Sequence, residues 1–191
     1  MKRRALLALA PAAALGAAGC SRRSTSSVAG QGGADERLGT VETFPMEQRE
    51  PAPQVTGELL DGTVFDLAAW RGKVVVVNFW GSWCAPCRAE APDLEATYRS
   101  TREPGVEFLG VDVRDGRDAA QAFQSTFHIT YPSLYDPPGQ VAMGFNAVSP
   151  NVVPATVLLD RQLRIAAVFR KRVYRTELEA AIRALATEGA L

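Results

Sequence analysis

Cys84 and Cys87 are separated by Ala85 and Pro86 and follow closely on the apolar run of residues 73–80, KVVVVNFW. A Cys-x-x-Cys at the point where a buried strand gives way to a helix is arranged to make a thiolate. Unpaired amide N–H groups and the positive end of the helix dipole favour negative charge there, lowering a thiol pKa from ~8.5 towards ~3.5–7.5. Cys84, at the N-terminal edge, is expected to be the exposed attacking sulfur, and Cys87, one turn later, the resolving one. Attack on a substrate disulfide gives a mixed disulfide, which Cys87 then displaces. Other uses of the pair fit less well. Structural zinc needs about four ligands, and beyond this pair the sequence has only the distant Cys20 and a single histidine, His128. Covalent haem attachment needs His directly after the second cysteine, where Arg88 stands. An inert disulfide remains open, although so small a loop restrains an unfolded chain little.

The elements around the pair read as one α/β domain. Residues 55–60 and 63–67 flank Asp61-Gly62, a hairpin signal suggesting a type I′ turn. Residues 73–80 and 106–113 (VEFLGVDV) read as strands covered on both faces. Between them, residues 84–100 read as a helix that Pro92 should kink or break. A second helix is expected over 118–127, with Asp118 near its start and Ala119, Phe123 and Phe127 on one face. A short helix over 140–145, strands over 155–160 and 163–169, and a last helix complete the pattern. That helix should carry a Thr176/Glu179 capping box and an apolar stripe of Leu178, Ile182 and Leu185. Crossover units mixed with hairpins imply a mixed central β-sheet with helices on both faces.

The segment Asn78-Phe79-Trp80-Gly81-Ser82-Trp83-Cys84-Ala85-Pro86-Cys87-Arg88-Ala89-Glu90-Ala91-Pro92 closely resembles the active site of the TlpA/ResA-like, membrane-anchored thioredoxin-fold proteins. Gly57, Asp61-Gly62 and residues 66–73 (DLAAWRGK) resemble that family's N-terminal hairpin and lead-in, and the likeness runs from about residue 51 to the C-terminus. The resemblance implies a thioredoxin fold with an N-terminal β-hairpin extension and extracytoplasmic thiol–disulfide exchange. It also assigns roles. Asn78 replaces the buried Asp of ordinary thioredoxins and cannot exchange a proton near neutral pH; Glu90, raised in pKa by partial burial, would take the proton from Cys87 instead. Val153-Pro154 stands where the family has its cis-proline, whose preceding backbone pairs with a substrate strand; Ser149-Pro150 is the weaker candidate. Val152 replaces a common Gly and would narrow the substrate groove. Trp83 would cover the disulfide and contact substrate, and Pro86 with Val153 would tune the potential at the substrate face. Trp80 is expected in the core, and His128 at a helix end.

The N-terminal residues set the expected location. Met1-Lys2-Arg3-Arg4, the apolar run 5–15 and the small residues 16–19 before Cys20 form the three parts of an export signal. The run is too short to cross a bilayer that needs about 20 apolar residues. Small residues directly before Cys20 resemble a bacterial lipobox, with Ala17 in place of the favoured Leu, so Cys20 is the expected lipid-attachment site. The expected organisation is a signal peptide over 1–19, the lipidated Cys20 with a flexible linker to residue 50, and a thioredoxin-like domain over 51–191. Lys plus Arg and Asp plus Glu both number 21 in the whole chain. Removing residues 1–19 takes three basic residues and no acid, leaving a net charge of −3. Neither count gives a nucleic acid a footprint.

The sequence therefore reads as a lipid-anchored thiol–disulfide oxidoreductase outside the cell membrane, a monomer reducing disulfides of exported proteins or apocytochrome c. It is expected to need no cofactor beyond the Cys84/Cys87 couple and to draw on a membrane electron donor. An oxidase of the same fold and a docking module without turnover are the alternatives. A peroxidase of the peroxiredoxin kind would need Pro-x-x-x-Thr-x-x-Cys, and the eight residues ending at Cys84 read VNFWGSWC.

Overall fold

The β-branched run becomes β4 (Val74–Trp80), and each of its residues is buried. Such a strand has no solvent side, so it needs neighbours along both edges and cover on both faces. In the computed structural model, which describes residues 39–102, 105–145, 148 and 152–188, it has both. β5 (Val106–Val113) lies parallel to it on one edge and β7 (Ala155–Leu159) antiparallel on the other. β6 (Ser133–Asp136) extends the sheet parallel to β5, and β8 (Ile165–Phe169) extends it antiparallel to β7. The six-stranded order is β1-β8-β7-β4-β5-β6, with β1 formed by Val41–Thr43.

Alternation along β4 decides what covers each face. Val75, Val77 and Phe79 point to a cluster with Phe145, at the end of α3 (Gln140–Gly144), and with Val55 and Phe65 of the N-terminal hairpin. Val74 and Val76 point the other way, to Leu94 of α1 (Ala85–Thr101) and to Leu178, Ile182 and Leu185 of α4 (Arg175–Thr187). Trp80, on the same face, stacks on Phe123 of α2 (Arg117–Thr126) at 4.3 Å between ring centroids. The mixed sheet with helices on both faces is the architecture expected.

Several local expectations change. The hairpin of β2 (Thr56–Glu58) and β3 (Val64–Asp66) forms around Asp61-Gly62, but only Gly62 of the two adopts positive φ, at 89°. Gly62 N–H bonds to Leu59 O and Leu59 N–H to Thr63 O. Asp61 meanwhile accepts from Thr63 N–H and Oγ1. A three-residue loop with one left-handed glycine therefore replaces the type I′ turn. α1 runs unbroken through Pro92. Pro92 and Arg88, whose carbonyl loses its usual donor, are both exposed, so water can serve that carbonyl while buried Ala91 and Leu94 hold the helix to the sheet. On α2 the buried residues are Ala120 and Phe123, with Ala119 exposed. Tyr174 is the N-cap of α4, and its N–H bonds to Glu177; Glu179 instead accepts from Ser100 and Arg175.

The linker expected to reach residue 50 ends earlier, because Val41–Thr43 pairs with Ala167–Phe169 along the edge of β8. Arg49, nearly buried, ties this lead-in to Asp160 and Glu188. The export signal, Cys20 and Ser149-Pro150 lie outside the described residues.

One glycine tests the sheet directly. A Cβ on Gly110 of β5 would meet Ser133 Oγ at 2.2 Å and Trp80 Nε1 at 2.8 Å. Gly110→Ala is expected to destabilise the protein by about 1–3 kcal/mol through overpacking, read as a lower urea midpoint at unchanged m-value. An unchanged midpoint would show that this packing yields freely.

Candidate active site

The site begins where β4 runs out of partners. After Trp80 the chain turns through Gly81-Ser82-Trp83, and the end of β5 holds that turn. Ser82 N–H donates to Asp115 Oδ2 at 2.5 Å, and Trp83 Nε1 donates to Val113 O at 3.4 Å. The Arg114 guanidinium sits 4.5 Å from the centroid of a Trp83 ring. Gly81 has no room for a side chain, since a Cβ would lie 2.5 Å from Trp83 Nε1 and 3.1 Å from Val113 O.

The turn delivers Cys84 to the N-cap of α1, with extended φ and ψ of −84° and 109°. N-cap side chains accept from the free amides of the first turn, and here Cys87 N–H donates to Cys84 Sγ at 3.2 Å. Pro86, exposed at the second helical position, has no N–H that would need a partner there. Cys84 and Cys87 form a disulfide with an S–S distance of 2.07 Å. Both are nearly buried, Cys84 at 4% and Cys87 at 1% exposure. Cys84 is thus less open than its N-terminal position suggested, although it remains the more accessible of the two.

Opposite the disulfide, the Val153–Pro154 bond is cis, and Val153 O lies 3.7 Å from Cys84 Sγ. Val152 beside it is half exposed, as is Trp83 across the site at 49%. The contacts that fix Trp83 run to the end of β5. Trp80 is core, and His128 follows α2 with a φ of 53°.

Glu90 is more deeply set than expected, fully buried on the inner side of α1. Its Oε1 accepts from Asn78 Nδ2 at 2.9 Å and its Oε2 from Val173 N–H at 2.9 Å. Asn78 also donates to Thr156 Oγ1 at 3.1 Å, linking the cysteine-bearing helix to β4 and β7. Burial pushes the Glu90 carboxyl up to about 8, against the pull of these two donors and of Arg172. The carboxyl therefore changes charge within reach of neutral pH, one turn beyond Cys87.

Sequence reasoning identified Asn78 and Glu90 but not Thr156, the Val173 amide, or the buried Asp112 at the end of β5. Thr156 left a signal as the lone polar residue of its strand, and Asp112 as one of two acids, with Glu107, in an otherwise apolar strand run; a backbone amide leaves none.

The AhpC/TSA family model matches residues 49–168. The chain belongs to the AhpC/TSA family. Within this family it is similar to the thiol-disulfide oxidoreductase ResA of Geobacillus kaustophilus, with 32% identity over 128 residues covering 67% of this chain and 72% of the relative. Among solved structures it is similar to a DsbF homologue from Corynebacterium diphtheriae, with a TM-score of 0.73 and 39% identity over 76% of this chain and 93% of that one. A secreted thiol-disulfide isomerase from Corynebacterium glutamicum also has a TM-score of 0.73, with 35% identity over 83% of this chain and 97% of that one. The AhpC/TSA chain described here is a thiol–disulfide oxidoreductase of the thioredoxin fold, as its TlpA/ResA-like active-site segment implied.

Proposed function

We propose that the protein works outside the cell membrane as a lipid-anchored reductase of disulfides in exported proteins or apocytochrome c. The observation that carries this reading is the setting of the Cys84–Cys87 pair, with a helix N-terminus on one side, the Val153 carbonyl on the other and Glu90 buried behind. The Cys84 thiolate attacks one sulfur of a substrate disulfide, forming a mixed disulfide and releasing the other sulfur as a thiolate. Cys87 gives its proton to the ionised Glu90 and attacks Cys84, forming the intramolecular disulfide and expelling the second substrate sulfur. Two electrons pass from the dithiol to the substrate, and no cofactor is needed. Trp83, Pro86, Val153 and Pro154 border the place where the substrate strand lies. A membrane donor of electrons then restores the dithiol, and the protein acts as a monomer.

The polar surroundings favour the reducing direction. Strong oxidants of this kind stabilise their reduced form. Here the titratable side chain placed behind the pair is an acid rather than a cation, so it adds nothing to what the helix N-terminus gives the Cys84 thiolate. The secreted Corynebacterium glutamicum neighbour supports an extracytoplasmic setting.

Two measurements test the reading. Alkylation of intact cells is expected to find Cys84 and Cys87 mostly as thiols, whereas a resting disulfide together with inactivity in insulin reduction would reject the reductase. Cys20→Ser is expected to move the protein from the membrane fraction to the soluble one, since acyl chains bind at about 0.8 kcal/mol per methylene and the net charge gives no substitute. Retention at the membrane would remove the lipid anchor.

A further inference from the structure

Asp112 is a buried acid with no evident occupation in the exchange reaction. It lies on β5 in register with Trp80 of β4 on one side and Tyr135 of β6 on the other. It is fully buried, and no N–H or O–H group among the described residues donates to either carboxyl oxygen. An orphaned buried carboxyl is unusual enough to require an explanation. Asp115, three residues on, acts on Asp112 both through charge and at hydrogen-bonding range, and Asp136 acts through charge alone. Two carboxyl groups can bond to each other only if one of them carries a proton.

We propose that Asp112 is a positioning residue for Cys84: as a neutral acid it donates a hydrogen bond to Asp115, whose carboxylate thereby holds the Ser82 amide and fixes the turn that delivers the nucleophile. The inference rests on Cys84 being the attacking sulfur. Of the two acids, Asp112 is the one to hold the proton. It is fully buried with no N–H donor, while Asp115 accepts from the Ser82 and Gly116 amides. Burial first, and then the Asp115 charge, push the Asp112 carboxyl up to about 8.

The charged groups around the pair point to one outcome on ionisation. From the β5–α2 connection come Asp115 and Arg114, the latter over the Trp83 ring. From α2 comes Arg117, stacked on the Tyr135 ring at 4.3 Å and bonded to Leu59 O and to Glu58. From β6 come Asp136, whose carboxylate caps Gln140 and Val141, and Tyr135, whose hydroxyl donates to Asp115 O at 3.3 Å. Each of these cations is thus engaged with an aromatic ring. Loss of the Asp112 proton would set like charges against each other under Ser82. Asp115 would move off the amide, and the added negative charge would oppose the Cys84 thiolate.

The test uses the full chain in its dithiol form, labelled for carboxyl carbon and amide resonances. Asp112 is expected to titrate above pH 7, and the Ser82 amide to shift with the same midpoint. Asp112→Asn, whose amide still donates but cannot ionise, should flatten the Ser82 curve between pH 7 and 9.5, while Glu90→Gln leaves it in place. In a Cys87→Ser background, alkylation of Cys84 should fall short of simple thiolate behaviour above pH 8 by roughly threefold to tenfold, a deficit that Asp112→Asn removes. An Asp112 titrating near 4, a flat Ser82 amide in the unmutated protein, or an alkylation curve unaltered by Asp112→Asn would each overturn the proposal. A Cys84 unreactive in every variant while Ser82 still titrates would remove the nucleophile reading and, with it, the positioning role.

Discussion

Cys87→Ser leaves the protein covalently joined to its substrate through Cys84, and turnover in insulin reduction falls to the background rate. The size of this effect follows from what Cys87 supplies. It stands one helical turn from Cys84, in a turn fixed by the Cys84 N-cap. Well-oriented intramolecular groups act at effective concentrations of about 10⁵ M or more. External thiols at millimolar concentration cannot replace them, so a loss of more than roughly 10³-fold is expected. The accumulated species should be reducible and should disappear when Cys84 is also replaced. A Cys87→Ser protein that turns over normally, or forms no adduct with substrate, would show that the disulfide is inert. Partner binding that survives loss of both cysteines would instead indicate docking without exchange.

Glu90→Gln should alter both the resolving step and the pH dependence of stability. With its carboxyl pushed up to about 8 by burial, roughly one Glu90 in ten is ionised at pH 7 and able to take the Cys87 proton. Resolution of the mixed disulfide should therefore accelerate as pH rises through 8. Gln removes the acceptor, and a loss of about 10²-fold at pH 8 with a flattened profile is expected. If the pH dependence of Cys87 alkylation is the same in both proteins, Glu90 has no part in the proton transfer.

Stability should move the opposite way with pH. A folded-state carboxyl raised above its ordinary value binds a proton that the unfolded chain releases, so its contribution is whole below about 4.5 and is lost as pH rises through about 8. Gln never ionises. It does, however, meet two donors, Asn78 Nδ2 and the Val173 amide, with a single acceptor oxygen, which costs about 1–3 kcal/mol. The variant should therefore be the less stable protein at pH 5, and the gap should close or invert by pH 9. Urea titrations at the two pH values measure this. A gap independent of pH would mean that Glu90 is ionised throughout.

The chemistry was legible because it is local. A Cys-x-x-Cys after a buried strand marks a redox pair, and the family resemblance put Val153-Pro154 on the opposite wall. The runs at 73–80 and 106–113 were equally plain, since residues buried on both faces must be apolar throughout. Short elements were not. Val41–Thr43 is three exposed residues, too few to show a period, and becomes a strand only because β8 has a free edge. Ser133–Asp136 was missed for a like reason, being ordered by its pairing with β5.

What the sequence by itself determined was the cysteine pair and the sheet strand beneath it, because these depend on neighbours in the chain. The tertiary structure alone decided the surroundings of the acids near the couple. Glu90 becomes a group that titrates near neutral pH only when α1, β4 and the Val173 amide close around it and exclude water. Asp115 meets Ser82 only because β5 lies parallel to β4 and ends beneath the active-site turn. The energy of a charge depends on everything around it, and distant parts of the chain supply most of those surroundings.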